Sequence, residues 1–211
     1  FCFVDAGRLC KVQIVYILHQ TSPTEWVTQL IYSKSQIINP DKTIPVTELE
    51  ALHMGAQILN KCHNALQNIQ RISLVGDSTA ASYWAAKDTI SLATFQRNRV
   101  LDIRRLIDLK NIYITASKNN PADIGTKEIE PVESVHPGST FNKGPKFLEK
   151  GIDRAISNNT LKPVINIIKE THKDTSNDQW KSITDGLVGK CSWPIELLQK
   201  ENLSALIVNE W

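Results

Sequence analysis

The spacing of apolar residues changes once along the chain, near residue 40, and this change most constrains the fold. Apolar side chains recur at every second position in CKVQIVYIL (10–18) and EWVTQLIYSKSQ (25–36), which is typical of β-strands with one buried face. In IPVTELEALHMGAQILNKCHNALQNI (44–69) they recur every three or four residues, as on an α-helix. We therefore predict two long strands followed by a long helix, with Pro45 in its first turn and a capping box formed by Thr47 and Glu50.

Shorter elements surround these patterns. FCFVDAG (1–7) predicts a first strand, RISLVGD (71–77) a buried strand and NIYITAS (111–117) another strand. Helices are predicted over 78–86 and 92–109, with a short helix opening at Pro121. Three antiparallel strands followed by alternating helices and strands predict an α/β fold, in which a mixed five-stranded sheet carries helices on its faces.

The character of the sequence changes after about residue 130. EIEPVESVHPGSTFNKGP (128–145) contains Pro and Gly without a clear period and is interpreted as a linker. The last sixty residues have helical patterns, which predict helices near 145–157, 161–171, 178–188 and 194–208. We predict a first domain over 1–130, a linker over 131–148 and a helical C-terminal extension of unknown role over 149–211.

The composition excludes several functional classes. The net charge of +2 is too small to indicate a nucleic-acid partner by itself, so any basic surface must be local. Four scattered cysteines without a CxxC pair argue against a zinc site. No run of 18 or more apolar residues occurs, so no membrane span is predicted and no membrane partner is expected.

Four acidic residues come from four different predicted elements: Asp5, Glu48, Asp77 and Asp123. Each also has a local interpretation, since Asp5 suits a turn, Glu48 complements a helix dipole, and Asp77 and Asp123 suit helix starts. If they converge at one sheet edge, the carboxylates repel one another, and a divalent cation relieves that repulsion. Oxygen ligands alone favour Mg²⁺ or Mn²⁺, and two such ions about 3.5–4 Å apart can clamp both oxygens of a phosphodiester displacement.

The four acids lie in an ordered set of motifs. These are DAG at 5–7, IPVTEL at 44–49, GDST at 76–79, NRVLDI at 98–103, NPAD at 120–123 and GPKFL at 144–148. Over roughly residues 1–148 this set resembles the ribonuclease H region of Bel/Pao-type LTR retrotransposon polyproteins. The sequence departs from that pattern at Gly7, where Ser is usual, at Val12-Gln13, where a small Gly-Ala pair is expected, and at Ile114, near which a His often stands.

The resemblance implies a ribonuclease H-like fold and a metal-dependent endonuclease that cleaves the RNA strand of RNA–DNA hybrids. It implies two Mg²⁺ ions, with Mn²⁺ as the alternative. Asp5 would contact both ions, Glu48 and Asp77 would hold one each, and Asp123 would complete the more exposed site. The adjacent reverse transcriptase and integrase regions of the same polyprotein would be its partners, in cytoplasmic virus-like particles or in the nucleus.

Nucleic-acid contacts are predicted after the third acid. Ser78, Thr79 and backbone groups near Gly7 could reach the 2′-hydroxyl that distinguishes RNA from DNA. Arg97, Arg99 and Arg104 form a local basic group that could contact phosphates, or else a solvated helix face.

Two other functions fit the same motifs. One is a catalytically inactive ribonuclease H-like module that binds nucleic acid or connects polyprotein regions. The other is a DDE-type recombinase, which is disfavoured because its last acid is a Glu on a long helix, whereas here it is Asp123 close to a Pro.

Overall fold

A computed structural model describes residues 1–39, 41–127 and 136–166. Its strands are β1 (Cys2–Ala6), β2 (Cys10–Ser22), β3 (Glu25–Ile37), β4 (Leu74–Gly76), β5 (Ile112–Ile114) and β6 (Lys162–Pro163). Its α-helices are α1 (Ile44–Ala65), α2 (Thr79–Ala86), α3 (Thr94–Leu106), α4 (Thr140–Lys143) and α5 (Ile152–Ser157). The predicted mixed α/β architecture is confirmed for these parts of the chain.

The strands form one sheet in the order β3-β2-β1-β4-β5-β6. The first three are an antiparallel meander, as the alternating pattern predicted. β4 and β5 run parallel to β1, and β6 runs antiparallel to β5. The carboxyl ends of β1, β4 and β5 therefore meet at one edge of the sheet, which is where ligands of open α/β sheets bind.

The predicted count of five strands was wrong, because β6 adds a sixth at the edge of the sheet. Ile114 pairs with Lys162, and Tyr113 pairs with Pro163. A two-residue strand has no readable period, and proline argues against a strand except at a sheet edge. The prediction of a helix over 161–171 failed at this place for that reason.

The predicted helical extension is not confirmed. Of its residues, the structure describes 149–166, where α5 is followed by β6. The side chains of Leu148, Leu161 and Val164 have no exposed surface, so this part of the chain packs on the sheet. The predicted boundaries at 130 and 148 stay predictions, and the helices predicted near 178–188 and 194–208 lie outside the described residues.

Helix α1 forms where the period predicted it, but its start differs from the prediction. Pro45 lies in the first turn, as expected. The predicted capping box of Thr47 and Glu50 is not formed: the N-cap is Thr43, and the Thr47 hydroxyl donates to the Ile44 carbonyl at 2.8 Å. That prediction was wrong. The Glu50 carboxylate instead accepts hydrogen bonds from two lysines that the sequence pattern could not place beside it.

The sheet is covered on both faces. Alternation along β1 sends Cys2 and Val4 towards α1, α2 and α3, and sends Phe3 to the opposite face. That opposite face packs against the 3-10 turn Pro121–Gly125 and against residues of 141–161. Among the described helices, none has the length and apolar character needed to cross a membrane.

Candidate active site

Asp5 and Asp77 are placed side by side by the central strands. β1 and β4 are parallel, and Cys2 pairs with Leu74 and Phe3 with Val75. Continuing that register brings Asp77, directly after β4, level with Asp5 near the end of β1. Adjacent strands lie about 4.8 Å apart, so these two carboxylates start from neighbouring backbone positions.

Glu48 reaches the same edge from α1. The Ser78 hydroxyl donates to its Oε2 at 2.5 Å, and Ser78 is also the N-cap of α2, where its Oγ accepts from the Ala81 amide. Asp5, Glu48, Asp77 and Ser78 all line one small cleft. Because Ser78 caps α2, Asp77 does not serve as the cap that its position also allowed.

Asp123 is brought to this edge by Asn120 of the NPAD motif. The Asn120 side chain is 4% exposed; its amide nitrogen donates to the Val4 carbonyl at 2.9 Å, and its oxygen accepts from the Ala122 amide at 3.1 Å. The 3-10 turn Pro121–Gly125 is thus tied to β1 directly before Asp5. The NPAD motif therefore has a structural role: Asn120 anchors the turn to β1, and the turn positions Asp123.

The electrostatics of the site follow from this convergence. Burial raises the pKa of Asp5; a hydrogen bond from Thr126 opposes the shift, and the charges of Asp77 and Asp123 add to it. Burial also raises the pKa of Glu48, against a hydrogen bond from Ser78, with further contributions from Asp77 and Asp5. The acids interact with one another through their charges, as expected for carboxylates gathered at one edge.

Each of the four carboxylates also accepts a hydrogen bond from a neighbouring side chain. The donors are Thr126 to Asp5, Ser78 to Glu48, Ser117 to Asp77 and Lys127 to Asp123. Sequence reasoning did not identify Ser117, Thr126 or Lys127. For the last two a signal existed, because they follow Asp123 by three and four residues and so return to the same side of a helical turn.

Within the described residues, no three His, Cys, Asp or Glu side chains lie close enough together to hold a metal ion as they stand. The chemistry of the donor set nevertheless fits a hard divalent cation, because all four groups are carboxylates at one edge, where their charges contribute to the raised pKa values of Asp5 and Glu48. Ligation would require these side chains to exchange their present hydrogen bonds for the ion.

Two departures from the resemblance, Gly7 and Val12, pack against residues at the end of the segment that carries Asp123. A Cβ on Gly7 would lie 3.0 Å from the Thr126 carbonyl oxygen, so the absence of a side chain at residue 7 lets Thr126 approach Asp5. A Cβ on Gly125 would lie 2.9 Å from a methyl group of Val12. The bulk of Val12 on β2 is therefore accommodated by a glycine in the turn that carries Asp123.

The predicted nucleic-acid residues lie in different environments. Thr79 is exposed at the first position of α2. Arg97 donates to the carbonyls of Thr89, Ile90 and Leu92, and Arg104 donates to those of Ala85 and Lys87. These two guanidinium groups hold the connection between α2 and α3. Arg99 instead stacks on Phe95, with its Cζ 3.5 Å from the ring centroid.

Comparisons with known proteins bear on part of the chain. No curated protein matches the sequence. One solved structure with detectable similarity is described as "Thermus thermophilus RuvC structure" and is 11% identical. The alignment covers 77% of this chain and 98% of that one, with a TM-score of 0.34. The resemblance predicted from the motifs is confirmed where a family model matches: residues 1–78, which contain Asp5, Glu48 and Asp77, match the Pao retrotransposon-like RNaseH-like domain.

Proposed function

We propose that this domain is a metal-dependent ribonuclease H-type endonuclease, which cleaves the RNA strand of RNA–DNA hybrids as part of a retrotransposon Pol polyprotein. The observation that carries the proposal is the meeting of Asp5, Glu48, Asp77 and Asp123 at one edge of the sheet, where three of them line one cleft. The family match over residues 1–78 supports the same function, because it spans the first three acids.

Asp5, Glu48 and Asp77 would hold two Mg²⁺ ions, or Mn²⁺, with Asp123 completing the more exposed site. Bound there, such ions would activate a water molecule and stabilise charge on the leaving 3′ oxygen, so the product would carry a 5′ phosphate. The side-chain exposure of Asp123 is 20%, which suits an outer ligand.

The remaining side chains position these acids. The hydroxyl groups of Thr126 and Ser78 orient the carboxylates of Asp5 and Glu48. Ser78 and the exposed Thr79 are our candidates for contact with the 2′-hydroxyl of the RNA strand. Asn120 holds the turn that carries Asp123 against β1.

The test is cleavage of a hybrid whose RNA strand is labelled at its 5′ end. We expect cleavage with Mg²⁺ or Mn²⁺, none with chelator, and none of a DNA duplex of the same sequence. Cleavage that persists in chelator, or no cleavage of any hybrid with either metal, would refute an active metal-dependent site.

A second candidate is a catalytically inactive module that binds nucleic acid or connects polyprotein regions. It is favoured by the present side-chain positions, in which no three described acids gather closely enough for an ion and Lys127 pairs with Asp123. Binding of the hybrid without cleavage, in the presence of either metal, would select this function.

The partners follow from the proposed polyprotein context. They would be the reverse transcriptase and integrase regions, within cytoplasmic virus-like particles or in the nucleus. Co-sedimentation of the domain with particles that contain reverse transcriptase activity tests this placement, and its absence from such particles would count against it.

A further inference from the structure

A second group of charged residues lies beside the carboxylate cleft, on the other side of the start of α1. Lys11 on β2, Lys42 before α1 and Arg99 on α3 surround the carboxylate of Glu50. The ammonium groups of Lys11 and Lys42 lie 3.3 and 2.7 Å from its oxygens, and Arg99 lies at 3.9 Å. Three cations around one carboxylate leave two positive charges in excess.

Two of the three cations, Lys42 and Arg99, contact the same aromatic ring. The guanidinium of Arg99 stacks on Phe95 at 3.5 Å, and the Lys42 ammonium lies 5.2 Å from the same ring centroid. The contact of Arg99 with Glu50 is longer than a hydrogen bond, and the buried Nε of Arg99 has no acceptor among the described residues. The side chains of Lys42 and Arg99 are 32% and 31% exposed, so both reach the surface, whereas that of Lys11 is 14% exposed.

The position of this group relates it to the cleft. Lys11 pairs with Ala6 in the β1–β2 ladder, and Ala6 directly follows Asp5. Glu50 follows Glu48 by two residues on α1, so the two point to different sides of the helix. An extended polyanion that presents one phosphodiester to the cleft can therefore place a neighbouring stretch of its backbone on the cations.

We propose that Lys11, Lys42 and Arg99 form a phosphate-binding surface that holds the sugar-phosphate backbone of a nucleic-acid duplex next to the carboxylate cleft. This inference rests on the proposed function, since it assigns a substrate contact to the same site. Glu50 sets the geometry of the lysines and lowers the net charge of the surface. The three cations contact phosphate oxygens and carry no sequence specificity.

The experiment is the salt dependence of binding of a fluorescently labelled RNA–DNA hybrid to the full chain, measured by anisotropy in chelator so that cleavage cannot occur. The slope of log K, the association constant, against log salt concentration is negative, and each lost phosphate contact reduces its magnitude by about 0.9. The curves of the wild type and of Lys42→Gln should converge near 1 M salt, where counterion release no longer drives binding. At about 0.1 M salt the variant should then bind roughly eightfold more weakly. The double variant Lys11→Gln/Lys42→Gln should reduce the magnitude of the slope by about 1.8.

Two further variants separate binding from folding. Glu50→Gln removes the negative charge at the centre of the group and should strengthen binding, opposite to the lysine variants. If the charge cluster were purely structural, Glu50→Gln and the lysine variants would all destabilise the fold, and their affinities for the hybrid would not change in opposite directions. Lys61→Gln is the matched control, because Lys61 is exposed on α1 and lies 11 residues from Glu50, about 16 Å along the helix. That distance exceeds the Debye length of about 10 Å at 0.1 M salt, so its slope should equal that of the wild type.

The outcomes are distinguishable from those of the proposed function. The inference is overturned if the wild type does not bind the hybrid, if Lys42→Gln and Lys61→Gln give the same slope, or if Glu50→Gln weakens binding. It stands if the slopes change as expected and no metal supports cleavage, in which case only the proposed catalytic activity fails.

Discussion

Replacing Asn120 by Ala tests whether the NPAD motif acts as the anchor of the fourth acid. The Asn120 side chain makes two hydrogen bonds, at 2.9 Å to the Val4 carbonyl and at 3.1 Å from the Ala122 amide, and it is buried. Each bond contributes about 1 kcal/mol, and a buried group that loses its partner costs about 1–3 kcal/mol. We therefore expect Asn120→Ala to lower the free energy of unfolding by about 2–4 kcal/mol.

The assay is urea unfolding, with thermal melting beside it. For a domain of this size, 1 kcal/mol corresponds to about 2–4 °C, so the melting temperature should fall by roughly 4–16 °C. Asn119→Ala is the matched control: Asn119 is half-buried, and its backbone amide bonds to the Ala116 carbonyl. The control should change stability by less than about 0.5 kcal/mol. Equal losses for Asn119→Ala and Asn120→Ala would refute the anchoring role.

Three other perturbations have defined outcomes. Because burial raises the folded-state pKa values of Asp5 and Glu48 above 3.8 and 4.5, the stability that these two groups contribute in chelator is present below those values and is lost as pH rises through the folded pKa values. Glu50, Asp102 and Asp108, whose pKa values are lowered, change stability in the opposite direction, so urea unfolding of the wild type is compared with that of Asp5→Asn at several pH values. The stability of the wild type relative to Asp5→Asn should fall as pH rises, and a rise of that difference would contradict the prediction. Lys127→Gln removes a positive charge that pairs with Asp123 and that takes part in no other ion pair among the described residues, so the affinity for Mg²⁺, measured by calorimetry, should increase about tenfold. Lys110→Gln, which breaks the ion pair with Asp108 instead, should leave the Mg²⁺ affinity unchanged, and equal affinities of the two variants would count against this effect. A chain that ends at residue 150 should have a free energy of unfolding lower by about 5 kcal/mol or more, because Leu161 and Val164 are fully buried. A chain that ends at residue 166 keeps these two side chains, and equal melting temperatures of the two chains would show that their contacts do not stabilise the sheet.

The elements that the sequence predicted well are those with a clear period or a motif of several residues. β2, β3 and α1 each exceed ten residues, so alternation or helical spacing identified them. The placement of Asp5 and Asp77 also followed from sequence, because parallel central strands bring their ends to one edge.

The failures have physical reasons. Thr47 and Glu50 have the spacing of a capping box, but Lys11 and Lys42 approach Glu50 from other elements and take its carboxylate. A local pattern cannot report such tertiary competition. The sequence did not predict β6, because a strand of two residues has no period and proline disfavours strands.

The basic residues show the same limit. Arg97 and Arg104 are seven residues apart and share a helix face, which suggested one phosphate-binding surface. In the structure their guanidinium groups donate to backbone carbonyls. Arg99 reaches a cationic group whose other members lie 57 and 88 residues earlier in the sequence. Whether Arg97 and Arg104 contact nucleic acid stays a prediction.

The most direct test of the central claim is the rate of hybrid cleavage by Asp5→Asn in Mg²⁺, compared with wild type and with Asp108→Asn. Asp108 pairs with Lys110 and caps a 3-10 turn away from the cleft, so it controls for the same change of side chain. Loss of an outer-shell partner of a metal typically costs about 10–100-fold, and loss of a central ligand should cost more. We expect Asp5→Asn to lose cleavage by more than about 100-fold while its stability in chelator equals or exceeds that of the wild type, because a repelling charge is removed. An Asp5→Asn protein that cleaves the RNA strand within about tenfold of the wild-type rate would contradict the account.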